Sequence, residues 1–513
     1  MGAGQGGLMS ISIIDVARNS LKFSTVQAIF ILISLPVSIY VATILVPEEY
    51  GVYGLLGLWT MYATLINPGL LTAGYREVPV LLGKGEEKEA LRIQNIIITS
   101  DMLYSILPCI VILGASLFFS EPIFRFGLIL IAVGYGIKRF VGYWDAVNFM
   151  RQNFNIAAKG RLLAAITPPL IIVASTYWLK VYALLIAPIF AAIVLGIYYW
   201  RKGPINFHFT LDWKETVRLL KIGIVLSVGT IVFWSFRLAD RTIISSTLPL
   251  EQLGLYTFAI GFIMTILGVL TNFTNVLQPI LYRELGKASS ILEGFKDTKR
   301  IAVYLALGSA VLIPAAQLGF YLVVSLIATK YIGSVPIFYT LSYYLYLASI
   351  APVPAIVLAS SLVNKQKYSL IVYSIGLALN IIFNLLVVKL SFGVVGVAWV
   401  TVFTQGLATL TIYYLAKNHM VRNKWDYFRF QIAMWAPFLF TIPFYFLHNY
   451  LNQAVPNVWT FTGISLVAQV ILWAMLIGLF YRAYISKNDF KIIMQEINTA
   501  IGNRLPIKRA GSE

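Results

Sequence analysis

Charge is scarce in this chain. Only 12% of its 513 residues are Asp, Glu, Lys or Arg and 59% are hydrophobic, against roughly 25% and 45–50% in soluble domains. So little polar surface excludes a water-soluble globular enzyme. Cysteine is almost missing: Cys109 stands alone inside an apolar block, which excludes an intrachain disulfide and a cysteine metal site. The three histidines, His208, His419 and His448, fall in loops or near the ends of apolar runs, far apart in sequence. They form no metal-ligand or proton-relay pattern. A phosphate-cradling Gly-rich loop ending in Gly-Lys-Ser/Thr is also absent, so the chain has no ATP site of its own.

What is present is hydrocarbon-length apolar sequence. Blocks of about 20 apolar residues match a membrane core of about 30 Å. Fourteen spans are predicted, at 23–46, 52–74, 93–119, 127–149, 162–179, 181–200, 219–247, 255–281, 301–328, 337–363, 369–388, 394–416, 431–449 and 458–481. The reading is an all-α polytopic membrane protein. Net charge is +18, from 39 basic and 21 acidic residues. Its distribution excludes a nucleic-acid explanation, because one alternating set of loops holds 31 basic residues and the other holds only Arg125, Lys180, Lys330 and Lys389. The positive-inside rule then puts both termini in the cytoplasm of a cell (plasma or inner) membrane. The outside turns are all short, and their acids, Glu48, Glu49, Glu121 and Glu251, offer no seat for catalysis. No catalytic residue, metal or cofactor is expected; a coupling ion is left open.

The chain repeats itself. Pro47-Glu48-Glu49-Tyr50-Gly51-Val52-Tyr53 follows the first span, and Pro249-Leu250-Glu251-Gln252-Leu253-Gly254-Leu255-Tyr256 follows the seventh. Tyr75-Arg76-Glu77-Val78 ends the second span, and Tyr282-Arg283-Glu284-Leu285 ends the eighth. Tyr53 to Tyr256 is 203 residues and Tyr75 to Tyr282 is 207, so two separate matches agree on one period. Six spans per copy is an even number, which makes the halves parallel, as in transporters that rock two bundles about a central site. The expected layout is an N-lobe over 1–200 (helices 1–6), a cytoplasmic linker over 201–218 and a C-lobe over 219–416 (helices 7–12). Helices 13 and 14 occupy 417–481, and a basic cytoplasmic tail fills 482–513. The linker carries Phe207, Phe209, Leu211 and Trp213, and the tail has Phe490, Ile493, Met494, Ile497 and Ile501 at helical spacing; both read as interfacial segments.

Seven ionisable residues lie inside spans: Asp101, Lys138, Arg139, Asp145, Arg237, Asp240 and Arg241. Each costs about 2.5–3.5 kcal/mol near the bilayer centre on insertion scales and so requires a reason. Arg237, Asp240 and Arg241 are spaced i, i+3 and i+4 on the seventh span, where Asp240 can neutralise one arginine but not both. Lys138 and Arg139 point about 100° apart and cannot share one carboxylate. Two readings compete. Buried Arg–Asp pairs pin helices together; alternatively the excess of bases lines a water-filled cavity that attracts an anion, with Arg139, Arg237, Arg241, Lys138 and Arg76 meeting it and Asp101, Asp145 and Asp240 as charge partners. Arginine suits phosphate because its planar fork donates two hydrogen bonds at once. Asn380 and Asn384 read as interhelical hydrogen bonds or as further lining, and Pro352 and Pro354 predict a kink in the tenth span.

The outside turn Pro-x-Glu-x-x-Gly-x-Tyr, the Asp240-Arg241 pair just before it, and Gly393-x-x-Gly396-x-Ala398 opening the twelfth span together resemble the polysaccharide transporter (Wzx-type) flippases of the multidrug/oligosaccharidyl-lipid/polysaccharide exporter (MOP) superfamily. The resemblance implies two six-helix lobes in a V, with the last two helices packed outside. It implies a lipid-linked oligosaccharide bearing phosphate or pyrophosphate, turned from the cytoplasmic to the outer leaflet by alternating access. Membrane lipids are expected partners, with a glycan polymerase or assembly proteins as candidates. The alternative is a cation-coupled multidrug exporter of the same superfamily, which the excess of bases over acids argues against. The first half departs from the pattern in having no counterpart of Asp240-Arg241 before Pro47.

The orientation is testable. In a Cys109→Ser background, Ser289→Cys and Ser486→Cys should resist a membrane-impermeant thiol reagent in intact cells and react after permeabilisation. Labelling of either in intact cells would overturn the topology.

Overall fold

The computed structural model describes residues 32–66, 69–151, 153–202, 207–287, 298–360, 363–455 and 457–484. Within them the chain is helical throughout, with no strand. In order the helices are α1 (Leu32–Ile44), α2 (Pro47–Leu65), α3 (Leu70–Gly83), α4 (Glu87–Ser116), α5 (Pro122–Met150), α6 (Phe154–Leu179), α7 (Val181–Lys202), α8 (Trp213–Thr247) and α9 (Leu250–Lys287). There follow α10 (Thr298–Leu326), a 3-10 turn (Thr329–Ser334), α11 (Val335–Ile350), α12 (Pro352–Ala359), α13 (Gln366–Lys389), α14 (Gly393–Met420), α15 (Lys424–Ala454) and α16 (Val458–Tyr484). Ten helical stretches among the described residues are long and apolar enough to cross a membrane. Backbone groups in hydrocarbon must be bonded within the chain, and a helix achieves this inside each segment.

The elements start and stop where local chemistry dictates. Proline occupies the first turn of α2, α5, α11 and α12, where its missing N–H is no loss. The second span, expected to be continuous, is instead interrupted: α2 ends at Leu65 and α3 begins at Leu70 behind Gly69, whose φ of 80° is left-handed. The tenth span breaks at Ala351, just before Pro352, as its prolines predict. Lys180 alone joins α6 to α7, at a φ of 47°, and its ammonium meets Glu49 at 2.7 Å. The tail after Tyr484 and residues 203–206 of the linker lie outside the described residues.

Several apolar cores hold the helices together. In the first half one joins α2, α4, α5 and α7, and another joins α3, α4 and α5. A larger core joins α9, α10, α11 and α14 with α15 and α16. α11 lies at its centre and is buried on almost every side. Its tyrosines reach out to the following helices: the Tyr343 hydroxyl donates to the Thr441 carbonyl at 3.1 Å and the Tyr346 hydroxyl to that of Met434. Both bonds hold α15 to α11, while α16 meets α10 through the Gln469 amide, which donates to the Pro314 carbonyl at 3.1 Å, and through stacking of Phe461 on Tyr321. His448, placed by sequence near a span end, is fully buried in α15, with Nδ1 2.9 Å from Gln317 Oε1 on α10.

The two repeat copies meet each other. A Cβ on Gly51 would fall on the Leu250 carbonyl oxygen, and one on Gly254 on that of Pro47, so backbone touches backbone where α2 crosses α9. Only glycine permits that approach. Tyr50, Phe258 and Tyr331 close around the crossing, with ring centroids 4.5–5.9 Å apart. A second glycine contact, Gly69 against Gly223, joins α3 to α8 further along. Gly51→Val and Gly254→Val should each lower the midpoint of thermal unfolding, by the equivalent of about 1–3 kcal/mol or more, because the obstructing atom is backbone. Gly57→Ala, with open space at its Cβ, should leave it unchanged or raise it by about 0.5–1 kcal/mol. Equal behaviour of the three variants would mean that the crossing is not a tight contact.

Candidate functional site

The intramembrane charges of the first half are organised by α5. Arg139 sits 11 residues before its end at Met150, about 17 Å along the axis at 1.5 Å per residue. Its guanidinium grips Asp101 of α4, with Nη2 at 2.7 and 2.9 Å from the two carboxylate oxygens. Its Nε donates to the Ser105 hydroxyl at 3.1 Å, and the Tyr143 hydroxyl lies 3.0 Å from the same oxygen. Ser105 is one turn from Asp101 and Tyr143 one turn from Arg139, so a helical hairpin assembles all four. Asp101 is fully buried and the Arg139 side chain is 19% exposed.

A second cluster lies nearer the Met150 end of α5. Asp145 accepts from Arg161 of α6 at 2.9 Å and from the Tyr199 hydroxyl of α7 at 2.6 Å, while the Arg161 guanidinium lies over the Phe149 ring. Arg161 precedes the predicted span 162–179, but α6 begins at Phe154 and carries it about two turns inside the helix. Both acids of the first half therefore already hold an arginine. Lys138 and Arg76 are exposed and make no ion pair with a described residue.

On α8 the described partners of Asp240 come from other helices. Asp240 turns into the second half, 3% exposed, and accepts from the Tyr256 hydroxyl (2.8 Å), Asn384 Nδ2 (2.8 Å) and the Thr401 hydroxyl (2.7 Å). Asn384 in turn bonds Asn380, which donates to Thr404. Arg241 leaves the helix about 100° away and meets Met61 Sδ of α2 at 3.7 Å. The Arg237 side chain, and those of the polar residues 272, 275 and 278, lie outside the described residues. The structure thus joins Arg139 to Asp101 and sends Asp240 and Arg241 to opposite halves. The partners Tyr256 and Thr401 escaped the sequence reading, since residues so far apart in the chain carry no local signal of contact.

Asp240 is a buried carboxylate held by the neutral donors Tyr256, Asn384 and Thr401. Asn384 turns its Nδ2 to the carboxylate, and its own Oδ1 is buried without a hydrogen-bond partner among the described residues. No three His, Cys, Asp or Glu side chains come together among the described residues.

α8 also touches both halves. It packs on α2, α3 and α4 on one side and on α13 and α14 on the other. Its N-terminal end is strapped to the first half: Arg92 bonds Asp212 at 2.8 Å, the Thr210 amide donates to Thr99 at 3.0 Å, and Ser100 meets Thr216 at 2.7 Å. The Glu215 amide and the Arg92 guanidinium hold the Asp212 carboxyl below its ordinary pKa. Beyond Arg241, the Tyr62 and Thr242 hydroxyls hydrogen-bond across the α2–α8 seam. One apolar cleft of about 310 Å³ opens on one side of that bond and one of about 250 Å³ on the other.

A family profile described as "Polysaccharide biosynthesis protein" matches residues 40–331, more than half of the chain. The chain belongs to that family. No curated protein sequence matches it. Its fold is similar to the lipid II flippase MurJ in an inward closed conformation, at 14% identity and a TM-score of 0.60, covering 90% of this chain and 99% of that one. It is also similar to an inward-facing multidrug resistance MATE family transporter of the MOP superfamily, at 15% identity and a TM-score of 0.59, covering 81% and 98%. A third likeness is to a MOP superfamily transporter from Pyrococcus furiosus, at 16% identity and a TM-score of 0.54, covering 81% and 96%. The fold is that of the MOP superfamily, as the sequence resemblance implied.

The Asp101–Arg139 pair yields a prediction. Arg139→Met strands a buried carboxylate and should cost about 3–5 kcal/mol of stability, most of it recovered in Asp101→Leu/Arg139→Met. Thermal unfolding in detergent measures both. An unchanged single variant would mean that the pair does not hold α4 to α5.

Proposed function

We propose that the protein is a flippase that carries a lipid-linked oligosaccharide bearing phosphate or pyrophosphate from the cytoplasmic to the outer leaflet by alternating access. It would cross the cell membrane fourteen times, with both termini cytoplasmic. The observation that carries this reading is the position of α8, the helix of Arg237 and Arg241, between the two halves of the molecule. Its basic face is where a head group would be exchanged between leaflets. Arg76 and Lys138, exposed and without an ion pair to a described residue, add positive charge on the first half. The family match to polysaccharide biosynthesis supports a glycan cargo, and MurJ, of similar fold, is a lipid II flippase. An inside-negative potential favours outward movement of an anion by about 2.3 kcal/mol per charge per 100 mV.

One observation favours a cation-coupled cycle, and with it the exporter reading: the buried Asp240 carboxylate, held by neutral hydroxyl and amide donors. Export of organic cations also needs acids open to the cargo, and here Asp101 and Asp145 are already bound to arginines. We therefore assign Asp240 to coupling, by a proton or a monovalent cation, and not to cargo.

Purified protein in liposomes containing a fluorescent polyprenyl-diphosphate oligosaccharide should expose the inner-leaflet label to an impermeant quencher. Asp240→Asn should keep the fold and lose the response of that flipping to an imposed proton or sodium gradient. Accumulation of ethidium without movement of the labelled lipid would replace the flippase reading with the exporter reading.

A further inference from the structure

A lipid-linked cargo imposes a constraint that a soluble one does not. Its head group must pass through the interior while its hydrocarbon chain stays in the bilayer, so the chain has to lie across a seam between the halves. This inference rests on the flippase reading and asks which seam serves. The α2–α8 seam has the required parts. Its larger cleft is lined on α2 by Leu55, Leu58, Trp59 and Ile66, and on the α4 side by Val111 and Ile112. The smaller cleft is closed by Leu238 and Ile243 of α8 and by Leu377 and Ile381 of α13. Tyr62 and Thr242 line both clefts, and their hydrogen bond is the partition between them. The first cleft falls within the range of about 300–1,000 Å³ usual for small-molecule pockets, the second just below it.

The occupant is argued from what stands next to the partition. Two successive side-chain contacts cross the seam at consecutive positions, Arg241 to Met61 and Thr242 to Tyr62. Neighbouring residues of one helix turn thus present a guanidinium and, about 100° away, the wall of an apolar cleft. An anion bonded directly to a long hydrocarbon chain matches that pairing, because the planar fork of Arg241 suits a phosphate. Tyr62, Ile66, Val111 and Ile381 are each 39–48% exposed in the protein, so the clefts open outward to a chain arriving from the bilayer.

We infer that the α2–α8 seam is the binding site for the hydrocarbon chain of the phosphate-bearing lipid cargo, and that the Tyr62–Thr242 bond is the partition the chain displaces. Two sources of hydrocarbon compete for it, the carrier lipid and ordinary membrane phospholipid, and the test separates them. A photoreactive benzoylphenylalanine is placed at Val111 or Ile381, with a control at Val467 on α16, which is 62% exposed. Each protein is reconstituted with a labelled polyprenyl diphosphate in excess phospholipid. Crosslinking to the polyprenyl lipid, relative to phospholipid, should be enriched about tenfold or more at 111 and 381 over 467. Arg241→Gln should reduce that enrichment. Equal ratios at the three positions would reduce the clefts to annular lipid sites and overturn the inference. A second measurement is flipping by Tyr62→Phe/Thr242→Val, which keeps the shape and removes the bond; its rate should rise or fall at least about threefold, with thermal stability recorded alongside. An unaltered rate would remove the partition from the path. If the wild type flips nothing, the functional reading fails while the crosslinking ratio still answers the question of the site. Wild-type flipping without enrichment would sink the seam alone.

Discussion

Everything polar in this molecule is arranged around one constraint: hydrocarbon does not solvate an unpaired charge. Asp101 is fully buried and Asp145 mostly so, and each is held by an arginine, with a serine or tyrosine hydroxyl completing the shell. Asp240, equally deep, is bonded instead by two hydroxyls and an amide. That difference separates roles. A carboxylate locked to a guanidinium is already neutralised and serves the bundle. One surrounded by neutral donors keeps a demand for positive charge, which a mobile proton or ion can meet.

The second organising feature is the meeting of the repeat copies. Gly51 and Gly254 bring the backbones of α2 and α9 into contact, and Gly69 with Gly223 does the same for α3 and α8. Two side-chain-free crossings give the halves a shared bearing surface, since nothing at those points interdigitates. The copies are alike in frame and unlike in content: the first carries the paired bases, the second the Asp240 cluster and two additional helices on α10 and α11. Such division allows one half to meet cargo and the other to meet the driving ion, with α8 in contact with both.

Much of the frame was legible because its signals are one-dimensional. Apolar block length marks the helices, and the Pro-to-Tyr turns mark the repeat; even the break at Pro352 could be read from residue type. The interruption at Gly69 was missed because the apolar character of the second span continues through it. Side-chain direction was harder. Spacing puts Asp240 within reach of arginines on its own helix, whereas its partners on α9, α13 and α14 carry no local signal in the sequence. Arg161 was passed over because a base just after a cytoplasmic loop reads as a topology signal. Its burial beside Asp145 and Tyr199 depends on how α5, α6 and α7 lie together, which no local pattern encodes.

The pairing pattern also reorders the basic residues as candidates for meeting an anion. A phosphate approaching Arg139 must compete with a carboxylate already bonded at 2.7 Å, and displacement would leave Asp101 buried and charged. That exchange carries the cost of breaking a buried ion pair, so Arg139 contributes field and geometry more readily than direct ligation. Bases without a carboxylate meet no such competition. Lys138 and Arg76 are exposed on the first half and make no ion pair with a described residue. In the flippase reading, a hydrocarbon chain in the clefts on either side of Tyr62 meets mostly apolar walls, while the charges of Asp101 and Asp145 are paired with arginines.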